Sequence, residues 1–382
     1  MLDSEGIFPV QWLREAAERG IIQSGKYKIP DANFQPASMD LRLGDRAYRL
    51  RCSFLPDTNS VQHKLSDFVM GEIDLRDGAI LERNRPYLIP LIEELNLPKD
   101  VYAKTNPRSS TGRLDIFTRV ITDRSDRFDE IQPGYRGKLY LEVATRSFTI
   151  HVREGLSLNQ LRLISGQYRS SDQATADFHQ HTPVIFRGGQ PADASHLAAG
   201  NGVFLSIDLT GDENGVVGYK AKKNSYLLDL CAVARYDAED FWEPVYAERK
   251  QRLVLEPEEF YLLLSSETVR VPPEFAAEMN AFDPTSGELR THYAGFFDPG
   301  FGHDAKGLSL GSRAVLEVRA HDVPFMIENG QKVCRLEFQN MAEAPSVLYG
   351  SDIGSSYQYQ ELTLSKHFKA ARPQTAAQLS LF

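Results

Sequence analysis

A loop in the first half of the chain carries the residue types that bind phosphate. Arg108, Ser109, Ser110 and Arg113 all fall within the string PRSSTGRL. Guanidinium groups make bidentate contacts to phosphate oxygens, and serine hydroxyls can bind the oxygens that remain. A solvated basic loop is the alternative interpretation of so short a string. The phosphate-binding interpretation is favoured because the chain as a whole is acidic, with a formal net charge of -9.

The strand that follows this loop carries an isolated carboxylate, Glu142. In the string KLYLEV, the two leucines and the valine point to one face of the predicted strand, and Glu142 points to the other with Lys138. One interpretation is a glutamate on the solvated face, paired with Lys138. The other is a shielded general base that shuttles protons, which requires a raised pKa.

The elements that must position these residues are mostly short strands. One amphipathic helix is predicted over residues 8–20. Beyond it, apolar runs that alternate with polar residues end at Gly, Pro or Asn, for example in residues 37–50 and 78–95. This pattern is typical of an all-β barrel or sandwich. The apolar face of the helix is predicted to comprise Val10, Leu13 and Ala17.

The chain contains an internal repeat. Residues 81–106 align with residues 255–280 at a constant offset, and the string LEV that contains Glu142 returns at Glu317. Repetition at this length indicates a duplicated domain rather than a solenoid. We therefore predict two tandem β domains with a tail. Their bounds are 1–178 for the first domain, 179–368 for the second and 369–382 for the flexible tail.

The two copies differ where the chemistry is expected. The second copy has Phe-Asp-Pro at residues 282–284 and Glu288 at the positions that correspond to the arginines and serines of the loop. It keeps an acidic residue, Asp298, in the turn where the first copy has Gln132. The cationic loop is therefore dispensable for the fold and is predicted to serve function.

Composition and cysteine usage exclude several classes of protein. The acidic balance argues against a nucleic-acid-binding face. Cys52, Cys231 and Cys334 form no CxxC pair, which predicts a reducing, cytoplasmic location and disfavours both disulfides and a structural zinc site. No apolar run has membrane-spanning length, so no membrane association is expected. His179 and His181, in the string FHQH, are assigned to a polar linker rather than to a metal.

Five strings, taken in order, resemble the dCTP deaminase and dUTPase family. They are PASMDLRLG, PRSSTGRL, QPGYRGKLYLE, EGLSLNQLRL and the late YQYQELTLS. The resemblance implies a distorted β barrel of jelly-roll type in each of the two dUTPase-like domains. It also implies a trimer with active sites at subunit interfaces, each closed by a C-terminal segment.

The resemblance also implies roles for individual residues. It favours the deaminase branch, because Glu142 occupies that branch's catalytic position while Gln132 replaces the aspartate that dUTPases use. Glu142 and Ser109 would be catalytic. The triphosphate would be bound by Arg108, Ser110, Arg113, Tyr357, Gln358 and Gln360. The nucleoside would be bound by Gln132, Tyr135 and Gln160.

The expected activity is hydrolytic deamination of dCTP to dUTP and ammonia, with a glutamate as proton shuttle. No cofactor is expected for the chemistry, and Mg²⁺ is expected only with the substrate triphosphate. The second copy would be a degenerate partner that shapes the pocket. Two alternatives remain open: a bifunctional deaminase and pyrophosphatase that yields dUMP, and a non-catalytic nucleotide-binding regulator.

The last five residues, QLSLF, suggest a separate function. They resemble the short peptide by which bacterial proteins bind the replication sliding clamp. The alternative, that these apolar residues pack on the protein itself or on a neighbouring subunit, is favoured because five residues are few. The residues concerned are Gln378, Leu379, Leu381 and Phe382.

Overall fold

The computed structural model describes most of the chain, namely residues 4–193, 197, 202–281, 289–291, 295–304, 309–320, 322–350, 353 and 357–370. The predicted clamp-binding residues, 378–382, lie outside these, as do residues 282–288. Strands dominate the described residues, so the predicted all-β class is confirmed. Among the described helices, none is long and apolar enough to cross a membrane.

The first half of the molecule, residues 4–165, contains thirteen strands and three α-helices. The helices are α1 (Val10–Glu18), α2 (Val61–Phe68) and the single turn α3 (Ser109–Gly112). The strands are β1 (Gly6–Ile7), β2 (Ile22–Gln23), β3 (Met39–Arg42), β4 (Arg46–Leu50), β5 (Val69–Asp74), β6 (Ala79–Leu81), β7 (Tyr87–Asn96), β8 (Val101–Pro107), β9 (Ile116–Ile121), β10 (Glu130–Ile131), β11 (Arg136–Thr145), β12 (Ile150–Val152) and β13 (Ser157–Ser165).

The second half, residues 172–370, begins with the helix α4 (Asp172–His181). Its described strands are β14 (Ile185–Arg187), β15 (Gln190–Pro191), β16 (Val203–Asp208), β17 (Val216–Ala221), β18 (Leu228–Asp229), β19 (Trp242–Tyr246), β20 (Arg252–Leu255), β21 (Phe260–Val269), β22 (Phe275–Ala281), β23 (Leu289–Thr291), β24 (Phe296–Phe297), β25 (Ser312–Ala320), β26 (Phe325–Glu328) and β27 (Lys332–Asn340).

Each half is built around its own antiparallel sheets. In the first half, the sheet β1-β13-β8-β10 and the sheet β5-β4-β7-β11-β9 bury their apolar faces in a common core. In the second half, β21, β16, β27 and β22 belong to one large sheet around a second core. The repeat in the sequence is a repeat of strands, because β8 corresponds to β22 and β11 corresponds to β25. The halves are joined by the parallel pairing of β12 with β18.

Helix α1 confirms the predicted N-terminal helix with shorter bounds. Pro9 is extended and precedes the first turn. Gly20, at φ +69, takes the left-handed conformation that terminates helices. Ala16 is fully buried while Ala17 is only partly so, which corrects the predicted apolar face by one position.

Helix α4 occupies the region assigned to a polar linker, and the predicted boundary after residue 178 falls inside it. Its first turn is capped by the hydroxyl of Ser171, which accepts a bond from the Ala174 amide at 3.1 Å. His179 is buried on this helix, and its Nδ1 accepts a bond from the Val184 amide at 3.1 Å. Burial lowers the pKa of His179. This histidine is therefore part of the packing between α4 and the strand that follows.

Candidate active site

The predicted phosphate loop consists of the end of β8 and the single turn α3. The carbonyl of Arg108 accepts bonds from the amides of Thr111 and Gly112, at 2.8 and 3.0 Å. This tight turn follows directly from the extended backbone at Arg108. It places the serines and arginines of the loop at the junction between the two halves.

A cavity of about 440 Å³ opens beside this turn, within the size range of small-molecule sites. Its walls come from the loop of the first half, from the region of β24 and β25 in the second half, and from a segment near the C-terminus. The polar and charged residues that line it from the first half include Asp40, Arg108, Ser109, Ser110, Arg113 and Gln160. Those from the second half include Asp298, Glu317, Tyr357, Gln360 and Lys366.

Glu317 is the carboxyl group that the structure brings against the loop. It lies on β25 and is only 6% exposed. Burial raises the pKa of Glu317 to about 8, although the nearby Arg113 guanidinium acts in the opposite direction. A Cβ atom on Gly112 would lie 2.7 Å from Glu317 Oε2, so the glycine leaves room for the carboxyl group. Glu317 is therefore positioned by the loop and can exchange a proton near neutral pH.

The closing segment, residues 357–367, covers the cavity and is held by Arg113. The guanidinium carbon of Arg113 lies 3.8 Å from the centroid of the Tyr357 ring. The same group donates to Gln360 Oε1 at 2.8 Å and to the carbonyl of Thr363 at 2.6 Å. Arg113 thus connects the loop of the first half to the C-terminal part of the second.

Two further contacts fix the closing segment. Ser365 Oγ donates to the carbonyl of Ser110 at 2.8 Å, which ties the segment to the loop itself. Gln358 Nε2 donates to the carbonyl of Gly300, and Gln358 Oε1 accepts from the amide of Gly302, both at 3.0 Å. Gln358 therefore anchors the closing segment to the second half and does not line the cavity.

Buried acids balance the cations of the cavity. Arg108 Nη1 lies 2.9 Å from Asp40 Oδ2, and burial raises the pKa of Asp40 to about 6 against the effect of Arg108. Burial also lowers the pKa of Lys366, in the same direction as the repulsion by Arg108. Burial raises the pKa of Asp298, which pairs with Arg162 at 3.1 Å. Within the described part of the chain, no three metal-ligating side chains converge on this cavity.

The structure brings together most of the residues predicted to bind the triphosphate but few of those predicted to bind the nucleoside. Gln132 lies in the exposed turn after β10, outside the cavity. The hydroxyl of Tyr135 donates to the carbonyl of Lys138 at 2.6 Å, and this side chain also lies outside. The predicted residues that do line the cavity are Arg108, Ser109, Ser110, Arg113, Gln160, Tyr357 and Gln360.

Glu142, the predicted catalytic carboxylate, does not line the cavity. Its Oε1 accepts a bond from Arg119 Nη2 at 2.5 Å, so its partner is Arg119 rather than Lys138. It is 1% exposed, which excludes the interpretation as a glutamate on a solvated face and agrees with a shielded carboxylate. The reason is that α2 covers this side of the sheet, where Leu65 joins Tyr140 in a buried cluster.

The sequence held a signal for two of the residues that the predicted site omitted. Glu317 repeats Glu142 in the second copy, and Asp298 occupies the Asp-Pro-Gly turn of that copy. Asp40 lies inside the string PASMDLRLG, but nothing in its spacing indicated a pairing with Arg108. Lys366 had no sequence signal, because only the path of the closing segment brings it to the cavity.

Two family models together cover nearly all of the chain. One, described as the 2'-deoxycytidine 5'-triphosphate deaminase (DCD) N-terminal domain, matches residues 4–167, and its C-terminal counterpart matches residues 171–368. A Methanothermobacter thermautotrophicus protein described as dCTP deaminase, dUMP-forming, is 27% identical over 138 residues, which cover 35% of this chain and 64% of the relative. A Haloarcula marismortui dCTP deaminase is 27% identical over 135 residues, which cover 35% of this chain and 66% of the relative. The chain thus spans just under two thirds of the length of these relatives.

A solved structure matches over a much larger share of the chain. It is the crystal structure of 2'-deoxycytidine 5'-triphosphate deaminase from Agrobacterium tumefaciens, with a TM-score of 0.83 and 45% sequence identity. The match covers 88% of this chain and 99% of that one. The similarity therefore includes both halves and the connection between them.

Proposed function

Because the chain belongs to the 2'-deoxycytidine 5'-triphosphate deaminase family, we propose that it hydrolyses dCTP to dUTP and ammonia. The observation that carries this proposal is the meeting of two groups in one cavity. The cationic loop of the first half faces the buried carboxyl group of Glu317 from the second half. A triphosphate requires the cations, and deamination requires a group that moves protons.

In this proposal Glu317 takes the proton-shuttle role that was predicted for Glu142. The carboxylate of Glu317 accepts a proton from a water molecule while the oxygen of that water adds to C4 of cytosine. Glu317 then delivers the proton to N3. It then moves the proton of the new hydroxyl group to the amino group, which leaves as ammonia. Water and dCTP give dUTP and ammonia, and the carboxylate is regenerated. A pKa of about 8 keeps both protonation states accessible near neutral pH.

The other cavity residues bind and orient the substrate in this scheme. Arg108 and Lys366 are proposed to bind the phosphates together with Ser110, because cationic and hydroxyl groups complement phosphate oxygens. Ser109 would hold the attacking water, and Gln160 would contact the nucleoside. Mg²⁺ is proposed to enter with the triphosphate, whose hard oxygens suit that ion. Arg113 would act mainly by holding the closing segment.

A second candidate reaction is favoured by the position of Asp298. This carboxyl group lines the same cavity as Glu317, in the turn where the first copy has Gln132. At least five of the curated relatives are described as dUMP-forming. With Asp298 activating a second water, one dCTP and two waters would give dUMP, ammonia and pyrophosphate. The pairing of Asp298 with Arg162 means that this carboxyl group would first have to exchange its partner.

The trimer implied by the resemblance remains a prediction, and the cavity supports a narrower proposal. Each half of one chain supplies a wall, so the two halves are proposed to meet as neighbouring subunits of such a trimer would. An interdomain ion pair supports this view, because Lys104 Nζ lies 2.7 Å from Glu278 Oε2. One chain should therefore supply both the loop and Glu317 of a site, and turnover should not require a residue from a second chain.

One assay tests the reaction and separates the candidates. The full chain is incubated with dCTP and Mg²⁺, and ammonia, dUTP, dUMP and pyrophosphate are measured. Equal amounts of ammonia and dUTP, without pyrophosphate, are expected. Formation of pyrophosphate and dUMP would instead identify the protein as a bifunctional deaminase and pyrophosphatase. Saturable binding of dCTP without release of ammonia would refute the proposed deaminase activity and support a nucleotide-binding regulator.

A further inference from the structure

A cluster of three side chains outside the cavity combines an imidazole, a carboxylate and a thiol. His151 lies on β12 of the first half, Asp229 lies on β18 of the second, and Cys231 follows two residues later. Their ligand atoms all lie within 4.8 Å of one another. We propose that this cluster binds a divalent cation of the zinc class, held jointly by the two halves of the chain.

The backbone fixes two of the three ligands opposite each other. The strands β12 and β18 pair in parallel, with His151 and Asp229 as Cα partners. The amide of Leu230 donates to the carbonyl of His151 at 3.0 Å, and the amide of Leu228 donates to the carbonyl of Thr149 at 3.1 Å. The histidine and the carboxylate therefore project from a hydrogen-bonded ladder rather than from independent loops.

Local contacts orient the side chains toward a common point. A Cβ atom on Gly78 would overlap His151 Nε2, so the glycine leaves room for the imidazole ring in this position. His151 Nδ1 is 3.1 Å from Asp229 Oδ1. The amide of Cys231 donates to the same oxygen at 3.0 Å, which turns the chain back and keeps the thiol near the carboxylate.

The geometry and the donor types fit zinc. With bonds of about 2.0–2.1 Å, a tetrahedral zinc places its nitrogen and oxygen ligands about 3.3 Å apart, close to the observed 3.1 Å. The thiol of Cys231, within 4.8 Å of both of these atoms, would supply the third protein ligand. The side chains of His151 and Asp229 are 28% and 31% exposed, which leaves a fourth position open to water. Magnesium and calcium prefer oxygen ligands throughout, so they suit this set less well.

The proposed zinc site uses ligands that cysteine spacing alone does not reveal. A structural zinc site was disfavoured because the chain has no CxxC pair, but this set uses one cysteine. Its histidine and carboxylate lie in different halves, separated by 78 residues, and no short motif could relate them. Only the pairing of β12 with β18 brings them together.

The cluster lies close to the closing segment, so a bound metal would affect the structure near the cavity. The carbonyl of Leu230, between Asp229 and Cys231, lies 3.3 Å from His367 Nε2 in the closing segment. His367 Nδ1 in turn lies 2.9 Å from Ser365 Oγ. A cation on this cluster would therefore stabilise the contact between the halves close to the segment that covers the cavity.

The test uses the untagged full chain, stripped with a chelator and titrated with Co²⁺ or Zn²⁺. One equivalent of Co²⁺ is expected to give a thiolate-to-cobalt charge-transfer band in the near ultraviolet. Cys231→Ser should abolish this band and weaken Zn²⁺ binding by at least about 100-fold, since even loss of a supporting partner of a ligand costs 10–100-fold. Zn²⁺ should also raise the melting temperature of the unmodified protein but not of the variant.

Two further variants serve as controls. Cys52→Ser removes an exposed cysteine of the first half and should leave the band and the affinity unchanged. Asp229→Asn keeps the shape of the carboxylate and should weaken Zn²⁺ binding even if Cys231→Ser folds poorly. The proposal is overturned if the unmodified protein gives no band, if the band survives Cys231→Ser, or if Cys52→Ser removes it.

Discussion

Glu142 and Glu317 occupy equivalent strands of the two halves, yet their surroundings are opposite in kind. Glu142 is buried against Arg119 on a face that α2 covers. Glu317 is buried against the loop, beside Gly112 and Arg113, and it lines the cavity. The comparison teaches that the same strand motif contributes to structure in one half and faces a ligand-sized space in the other. What differs is the surface that packs against each strand.

The same contrast extends to the loops. The first half keeps the cationic loop but presents it to the glutamate of the second half, so neither half alone holds the proposed site. The second half contributes Glu317 and the closing segment to the cavity. In the proposed function, duplication has therefore divided the parts of one site between the copies.

The largest difference is expected between Glu317→Gln and Glu142→Gln. Glu317→Gln removes the proposed proton shuttle and should lower kcat for dCTP by about 10²–10⁴-fold, whereas Glu142→Gln should leave kcat nearly unchanged. Ammonia release measures both, and circular dichroism checks that both variants fold. Loss of turnover in Glu142→Gln alone would reverse the comparison and refute the proposed role of Glu317.

A smaller loss of kcat is expected from Gly112→Ala, a substitution that changes no charge. The new methyl group would lie 2.7 Å from Glu317 Oε2, so the carboxyl group must move, and a displacement of about 1 Å can cost about 100-fold in rate. Gly71→Ala is the matched control because a Cβ there meets nothing within 4 Å. Equal kcat values for the two alanine variants would show that the position of Glu317 over Gly112 is unimportant.

Arg113→Lys should mainly affect substrate binding. Lysine cannot reproduce both the stacking on Tyr357 and the two bonds to the closing segment, so KM for dCTP should rise about tenfold, from a loss of about 1.4 kcal/mol. Arg119 stacks on Phe128 at the same distance, 3.8 Å, and Arg119→Lys should leave KM unchanged. A similar rise in KM in both variants would show that the effect is not specific to the closing segment.

Local patterns in the sequence predicted the elements of this fold better than the contacts between them. Spacing of apolar residues gave α1, and alternation gave the strands, because both depend on near neighbours. The loop residues were found for the same reason. Helix α2 was not predicted, so the covering of Glu142 was missed. The meeting of Glu317 with Gly112 depends on how the two halves pack, which no local pattern encodes.

The smallest expected effect is on thermal stability, and its sign differs between the two glutamate substitutions. Because burial raises the pKa of Glu317 from 4.5 to about 8, the stability linked to its bound proton is fully present below the ordinary value and is lost as the pH rises through about 8. Glu317→Gln should therefore melt a few degrees above the unmodified protein at about pH 9, with the difference shrinking towards about pH 5. Glu142→Gln should melt a few degrees below it at about pH 9, since it breaks a buried ion pair. Calorimetry across this pH range measures both shifts. A lower melting temperature for Glu317→Gln at about pH 9 would mean that Arg113 stabilises the ionised carboxylate by more than burial costs it, and that the two glutamates are alike.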